Sequence, residues 1–148
     1  DTIGTQKMLK ALIPFDGSDN ALRAVDHLIS LVQAREPMEV HLLHVREPID
    51  SWEIRRVLTA DEIAALQLSE GEDALQAARQ RLEAAGISYT ATILVGDVAQ
   101  TIARHATEIG CDKIIMGSSG ASAIAGLLLG SVTMKVIHLA QVPVTVVK

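Results

Sequence analysis

The segment between residues 117 and 131 holds the residue types that are best suited to bind a ligand. Its glycines and serines are arranged as Gly117-Ser118-Ser119-Gly120, then nine residues, then Gly130-Ser131 at the start of a helical pattern. Glycine allows backbone N–H groups to turn towards an anion at close range. A helix N-terminus adds about half a positive charge and N–H groups without intrahelical partners. The pattern therefore predicts a phosphate cradle, with a plain glycine turn and helix cap as the alternative.

A second candidate segment, Asp16-Gly17-Ser18, follows the first apolar run of the chain. The Asp16 carboxylate could accept a hydrogen bond from a ribose hydroxyl or help to hold a divalent cation. The alternative role of Asp16 is that of a turn residue at a helix entry. Both roles stay open at this point.

Several motifs of nucleotide-binding and hydrolytic enzymes are missing from the sequence. It contains no G-x-x-x-x-G-K-[ST], no G-x-G-x-x-G after the first strand and no G-x-S-x-G. These absences argue against a P-loop NTPase, a dinucleotide-binding protein and a serine hydrolase. The five histidines lack metal-binding spacing, and we interpret His41 and His44 as structural. Cys111, the only cysteine, is interpreted as an inert core thiol.

Strand and helix patterns alternate along the chain. Short apolar or alternating runs predict strands over 9–15, 40–45, 87–95, 113–116 and 144–147. Helices are predicted between them, with N-terminal caps at Thr59, Asp97 and Ser131, and we interpret 46–58 as a loop. The strict alternation over 87–95 predicts a half-buried strand at an edge of the sheet.

This order of elements predicts the fold class. Helices that separate strands give a parallel sheet with right-handed crossovers. The prediction is an α/β protein with an open, doubly wound, parallel five-stranded sheet (flavodoxin- or Rossmann-like), helices on both faces, and a single domain over residues 1–148. Ligands of such sheets bind outside the carboxyl ends of the strands, so we expect the loops after the first and fourth strands to meet.

Composition narrows the classes of partner. Hydrophobic residues make up 49% of the 148 residues, aromatic residues only 2%, and the net charge is −5. An acidic chain without aromatic platforms argues against nucleic-acid binding. The apolar stretch 121–129 is shorter than the roughly 18 residues of a membrane span, and a single cysteine fits a reducing compartment. We expect a cytoplasmic protein with neither nucleic acid nor membrane as a partner.

Three segments together resemble the universal stress protein family. They are the G-x-x-G-(nine residues)-G-S pattern with its following helix and Pro143-Val144-Thr145-Val146-Val147, the first strand and loop Ile13-Pro14-Phe15-Asp16-Gly17-Ser18, and Leu43-His44-Val45. The resemblance covers the whole chain. It implies a flavodoxin-like sheet, and ATP as the ligand of those members that keep the glycine motif.

The resemblance also implies roles for individual residues. Asp16 and the Pro14 backbone would lie near the adenosine, and Val45 would contact the adenine. The segment that leads into the triphosphate and the groups that hold phosphates and ribose would be Met116, Gly117, Gly120, Gly130, Ser131 and Val132. Ser119 stands where many ATP-binding members carry a basic residue, and no Lys or Arg occurs from 117 to 131. We therefore expect nucleotide binding through backbone dipoles, hydroxyls and a metal such as Mg²⁺ or Mn²⁺, at reduced affinity.

The predicted function is that of an adenine-nucleotide-binding stress-response protein. We expect at most weak ATP hydrolysis, because no residue is placed as a general base or charge-stabilising arginine. A homodimer through the last strand, Val144–Val147, is expected because an uncovered apolar edge invites pairing. The alternatives are a dimeric interaction module of the same fold that binds no nucleotide and, more remotely, a slow ATPase.

Overall fold

The computed structural model describes residues 8–119 and 129–148, and its elements within this part of the chain alternate as the sequence predicts. The strands are β1 (Leu9–Pro14), β2 (Met38–Arg46), β3 (Tyr89–Val95), β4 (Lys113–Gly117) and β5 (Val144–Val147). The helices are α1 (Asp19–Gln33), α2 (Trp52–Val57), α3 (Ala60–Ala84), α4 (Val98–Glu108) and α5 (Ser131–Leu139).

The five strands form one parallel sheet in the order β3-β2-β1-β4-β5. From β1 the chain continues outward through β2 to β3, and then places β4 and β5 on the opposite side of β1. The strand order therefore reverses between β1 and β4, and their carboxyl ends form the switch point of the sheet. The predicted α/β fold class is confirmed.

Two aliphatic layers cover the sheet. On one face, α1 and α3 pack against strand residues that include Ile13 and Leu42. On the other face, the core of α4 and α5 includes Leu12, Leu43 and Ile114. Successive strand residues point to opposite faces, so burial on both sides explains the nearly continuous apolar runs of the central strands. Each such side chain contributes about 1.5–3 kcal/mol to folding.

Local signals set the ends of the long helix α3. The Glu62 N–H donates to the Thr59 hydroxyl (3.1 Å), and the Glu62 carboxylate accepts from the Thr59 N–H (2.9 Å), so the predicted cap residue Thr59 is part of a capping box. The backbone hydrogen bond from Thr59 is the main cause that holds the pKa of Glu62 below its ordinary value. Gly86 follows the helix with φ 71°, a left-handed conformation that glycine adopts without strain.

Two local predictions are wrong. The segment 46–58 is not a loop throughout, because Arg46 ends β2 and Trp52–Val57 form α2. None of the α2 side chains is buried, and a helix without a buried face has no apolar period to detect. Ser131 does not cap α5, because the N-cap residue is Gly130 and Ser131 is the first residue of the helix.

The edges of the sheet are β3 and β5. The prediction that the alternating run over 87–95 forms an edge strand is confirmed, since β3 pairs only with β2 within the described residues. No helix in the described ranges is long and apolar enough to cross a bilayer.

Candidate functional site

The carboxyl ends of β2, β1 and β4 lie side by side, and each contributes a predicted site residue. Val45 and Met116 belong to the core on the α4/α5 face. Pro14 shares that face with Leu12, because strand residues two apart point the same way. Pro14 and Met116 are buried and Val45 is half-buried. These three residues, which we call the apolar floor, line one side of the switch point.

The loop after β1 is organised around Ser18. Its N–H donates to the Asp16 carboxylate (2.9 Å), and its hydroxyl accepts from the N–H of Ala21 (3.1 Å), which caps α1. Asp16 is exposed at the tip of this loop. Its carboxylate thus performs the turn role that the sequence offered as an alternative, at the edge where a ligand of the switch point would lie.

Phe15 joins this loop to β2. Its N–H donates to the Leu43 carbonyl (2.8 Å), and its carbonyl pairs with Nδ1 of His44 (2.7 Å). A carbonyl oxygen only accepts, so Nδ1 carries the proton in this bond. His44 is buried, and its Nε2 has no partner among the described residues. His44 is therefore buried and bonded to the backbone through Nδ1, which agrees with its interpretation as a structural residue.

The loop after β4 is tied to α1 by Asn20, a residue that sequence reasoning missed. Oδ1 of Asn20 accepts from the Ser119 N–H (3.1 Å) and from the Ser118 hydroxyl (3.3 Å). Gly117 lies against the same side chain, since a Cβ there would be 2.4 Å from Oδ1. The only signal in the sequence was an amide in the first turn of a helix, whereas its partners are 98 and 99 residues away.

The N-terminus of α5 lies on the same face of the sheet as the apolar floor. The Gly130 N–H donates to the Ser118 carbonyl (2.7 Å), and the Thr133 hydroxyl donates to the Gly117 carbonyl (3.0 Å), so the helix is attached to the end of β4. Gly130 provides no side-chain cap, and Ser131 is exposed. The N–H groups of a first helical turn have no intrahelical acceptors, so this helix end favours an anion.

The switch point therefore gathers the predicted site residues. Except for Gly120, which lies outside the described residues, they occupy the strand ends, the two loops and the first turn of α5, where Val132 is exposed beside Ser131. No described group of three or more His, Cys, Asp or Glu residues could hold a metal ion. A divalent cation here would need oxygen ligands from the bound molecule in addition to any from Asp16.

Two arginines near this end of the sheet make contacts within the protein. Arg46, which follows Val45 at the end of β2, pairs with Glu70 of α3. Arg23 of α1 donates through Nε to the carbonyl of Lys148 (3.1 Å). An anion at the switch point would therefore be held mainly by backbone N–H groups and hydroxyls.

A doubly wound parallel sheet, with glycine- and serine-containing loops at its switch point, defines the class of small open-sheet α/β proteins. The family model of the universal stress protein family matches residues 8–148. The chain belongs to this family.

Individual relatives agree with that assignment. Universal stress protein MJ0531 of Methanocaldococcus jannaschii is 33% identical over 147 residues, which cover 94% of this chain and 81% of that protein. The structure of MJ0577, from the same organism, superposes with a TM-score of 0.81 at 32% identity and covers 95% of both chains. A universal stress protein in complex with cAMP superposes with a TM-score of 0.70 at 26% identity, over 97% of this chain and 99% of that one.

Proposed function

We propose that this chain binds an adenine nucleotide, with ATP as the expected ligand, at the switch point between β1 and β4. The observation that carries the proposal is the apolar floor beside a helix N-terminus that lacks a side-chain cap. An apolar surface suits a purine ring, and first-turn N–H groups suit a phosphate. The similar protein in complex with cAMP supports a purine nucleotide as the ligand class.

In this proposal, different residues of the site bind the adenine, the ribose and the phosphates. The adenine lies against Val45 and the Pro14 backbone, and the exposed Asp16 carboxylate accepts from the ribose. The phosphates lie at the first turn of α5, with contacts from the residues Met116, Gly117, Ser119, Gly120, Gly130, Ser131 and Val132. Mg²⁺ or Mn²⁺ binds together with the phosphates, whose oxygens are the ligands that such hard cations prefer.

We further propose that nucleotide binding serves signalling in a stress response and that hydrolysis is weak. Efficient phosphoryl transfer relies on cationic groups that stabilise the transition state. Arg46, near this end of the sheet, is already paired with Glu70. The site is thus better suited to hold a nucleotide than to cleave one.

Calorimetry with ATP and Mg²⁺ tests the nucleotide proposal, with Ser131→Asp as the informative variant. An aspartate in the first turn of α5 stabilises the helix by about 0.3–1 kcal/mol, so the variant folds. The same carboxylate repels a phosphate, and we expect at least about tenfold weaker ATP binding. Ser131→Asn, which has the shape of the aspartate but is neutral, is the matched control and should bind ATP at least about tenfold more tightly than Ser131→Asp.

Absence of saturable heat at millimolar ATP and Mg²⁺ would contradict the proposal. Equal affinities for the Ser131→Asp and Ser131→Asn variants would show that the phosphates do not bind at α5. Both outcomes are interpretable because the thermal unfolding midpoint reports separately whether each variant is folded.

A dimeric interaction module without a nucleotide is the second candidate. It is favoured by one observation: the N–H groups of Ser119 and Gly130 already donate within the protein. Freshly purified protein tests this candidate, because adenine absorbance in the supernatant after denaturation would exclude it. We also propose that the nucleotide-binding protein is a homodimer, and that its two copies pair through β5.

A further inference from the structure

Asn20 is the one described side chain that hydrogen-bonds from α1 to the loop after β4. Both groups that it contacts are donors to its Oδ1: the Ser119 N–H at 3.1 Å and the Ser118 hydroxyl at 3.3 Å. A backbone N–H can only donate, so the accepting atom of the Asn20 amide must be its oxygen. Asn20 itself is half-buried, so these bonds are partly shielded from water.

Gly117 is shaped by the same contact. A Cβ at this position would lie 2.4 Å from Oδ1 of Asn20 and 2.9 Å from its backbone carbon and oxygen. These distances are below any that a side chain tolerates without a shift of the backbone. Gly117 is therefore needed for the close approach of α1 to β4, whatever is bound in the cleft.

We propose that Asn20 is a positioning residue that sets the phosphate end of the site by holding the Ser118-Ser119 turn against the first turn of α1. This inference rests on the proposed nucleotide binding. The Ser119 N–H donates to Asn20 and not to the ligand. The N–H groups in the first turn of α5 therefore donate to the phosphates. The position of that turn follows from the same tie, because the Gly130 N–H donates to the Ser118 carbonyl.

The first test needs no ligand, because it measures amide hydrogen exchange at Ser119. Asn20→Ala removes the acceptor, and we expect exchange of the Ser119 amide to become at least about tenfold faster. Asn20→Asp keeps an oxygen in the same place and should preserve the protection. Gln33→Ala, which removes an exposed amide at the other end of α1, is the control and should leave Ser119 unchanged.

The second test compares the affinities for adenosine and for ATP with Mg²⁺. Loss of the tie displaces the phosphate donors, so Asn20→Ala should weaken ATP binding about tenfold and adenosine binding less than about twofold. An Asn20→Ala variant that loses both ligands equally would show a general structural role and overturn the inference. So would unchanged protection of the Ser119 amide.

The two proposals fail in distinguishable ways. If the wild type binds neither adenosine nor ATP, the proposed function is wrong and so is the positioning role that rests on it. Hydrogen exchange can still show the bond between the Ser119 N–H and Asn20 in that case. If the wild type binds ATP and Asn20→Ala binds it equally well, the function stands and only the positioning role is wrong. Retained exchange protection of the amides in the central strands of Asn20→Ala excludes misfolding as the cause of its result.

Discussion

Single residues at the switch point act mainly through the backbone. The Asn20 oxygen holds a backbone N–H, the Ser18 hydroxyl caps α1, and the His44 ring fixes the Phe15 carbonyl. Each of these side chains stabilises the position of a loop, and a net contribution of about 1 kcal/mol per hydrogen bond is typical. The residues that would touch a ligand are therefore held by residues that would not.

Cys111 lies in the core and is not one of the residues of the candidate site. It is 5% exposed, and burial is the main cause that raises the pKa of its thiol above the ordinary value. A thiol with a raised pKa has less of the reactive thiolate at neutral pH. This agrees with the interpretation of an inert core thiol.

We therefore expect Cys111 to react slowly with a disulfide reagent in the folded protein. At pH 7.5 the rate should be at least about tenfold lower than for the protein in guanidinium chloride, where the thiol is exposed and its pKa is ordinary. Absorbance of the released thiolate measures both rates, and Cys111→Ala is the control that should release none. Equal rates in the folded and denatured protein would contradict the buried position.

At the scale of elements, strands and long helices could be predicted because burial leaves a period in the sequence. The alternation of β3 and the capping box of α3 are examples. The helix α2 could not be predicted, because none of its side chains is buried. The contact of Asn20 with the β4 loop could not be predicted either, because it joins residues 98 and 99 positions apart and has no local pattern.

The glycines likewise separate into those whose role has a local signal in the sequence and those whose role depends on a distant contact. Gly86 and Gly110 could be assigned to helix ends from the sequence, and both have positive φ. Helix propensity alone predicts a bend or break at Gly71, and this is wrong, because α3 runs through Gly71 without interruption. Glycine is needed at position 71 because α3 packs closely on β3 there. A Cβ would lie 2.8 Å from Cγ2 and 2.9 Å from Cδ1 of Ile93.

Gly71→Ala therefore sets helix propensity against packing. Alanine gains about 1 kcal/mol in a helix interior, while overpacking a fitted contact costs about 1–3 kcal/mol. We expect a net loss of about 1 kcal/mol in the free energy of unfolding, measured by urea titration. The loss should shrink in the background of Ile93→Val, which removes Cδ1. Ser69→Ala, at an exposed site of the same helix, controls for propensity, and a Gly71→Ala variant more stable than wild type would contradict the packing argument.

At the scale of the whole molecule, the net charge of −5 sets how an anion can be bound. Acidic residues outnumber basic ones, and some of the cations are paired within the protein, as Arg81 is with Asp26 (2.6 Å) and Arg46 with Glu70, so the overall field does not attract a nucleotide. A phosphate must be held by the local dipole of α5 and by hydroxyls. A small anion is compatible with that arrangement, whereas a polyanion that needs a broad basic surface is not.

The proposed dimer is also a property of the whole molecule. β5 is an edge strand whose four residues are all half-buried, and Met134 and Ile137 of the adjacent α5 are 58% and 43% exposed. A free edge strand of half-buried residues is a template for pairing with a second copy, and exposed apolar side chains near it on the chain add surface that such a pair can cover. In a two-fold pair each copy contributes the same surface, so one substitution acts twice.

Val146→Lys should therefore convert the protein to a monomer. Each copy would place a lysine in the shared edge, which adds like-charge repulsion to the loss of apolar contact. Light scattering at micromolar concentration should give the mass of a dimer for the wild type and of a monomer for Val146→Lys. Thr90→Lys, an exposed position on the opposite edge strand β3, adds the same charge and should remain dimeric. A monomeric wild type, or loss of the dimer in both variants, would contradict pairing through β5.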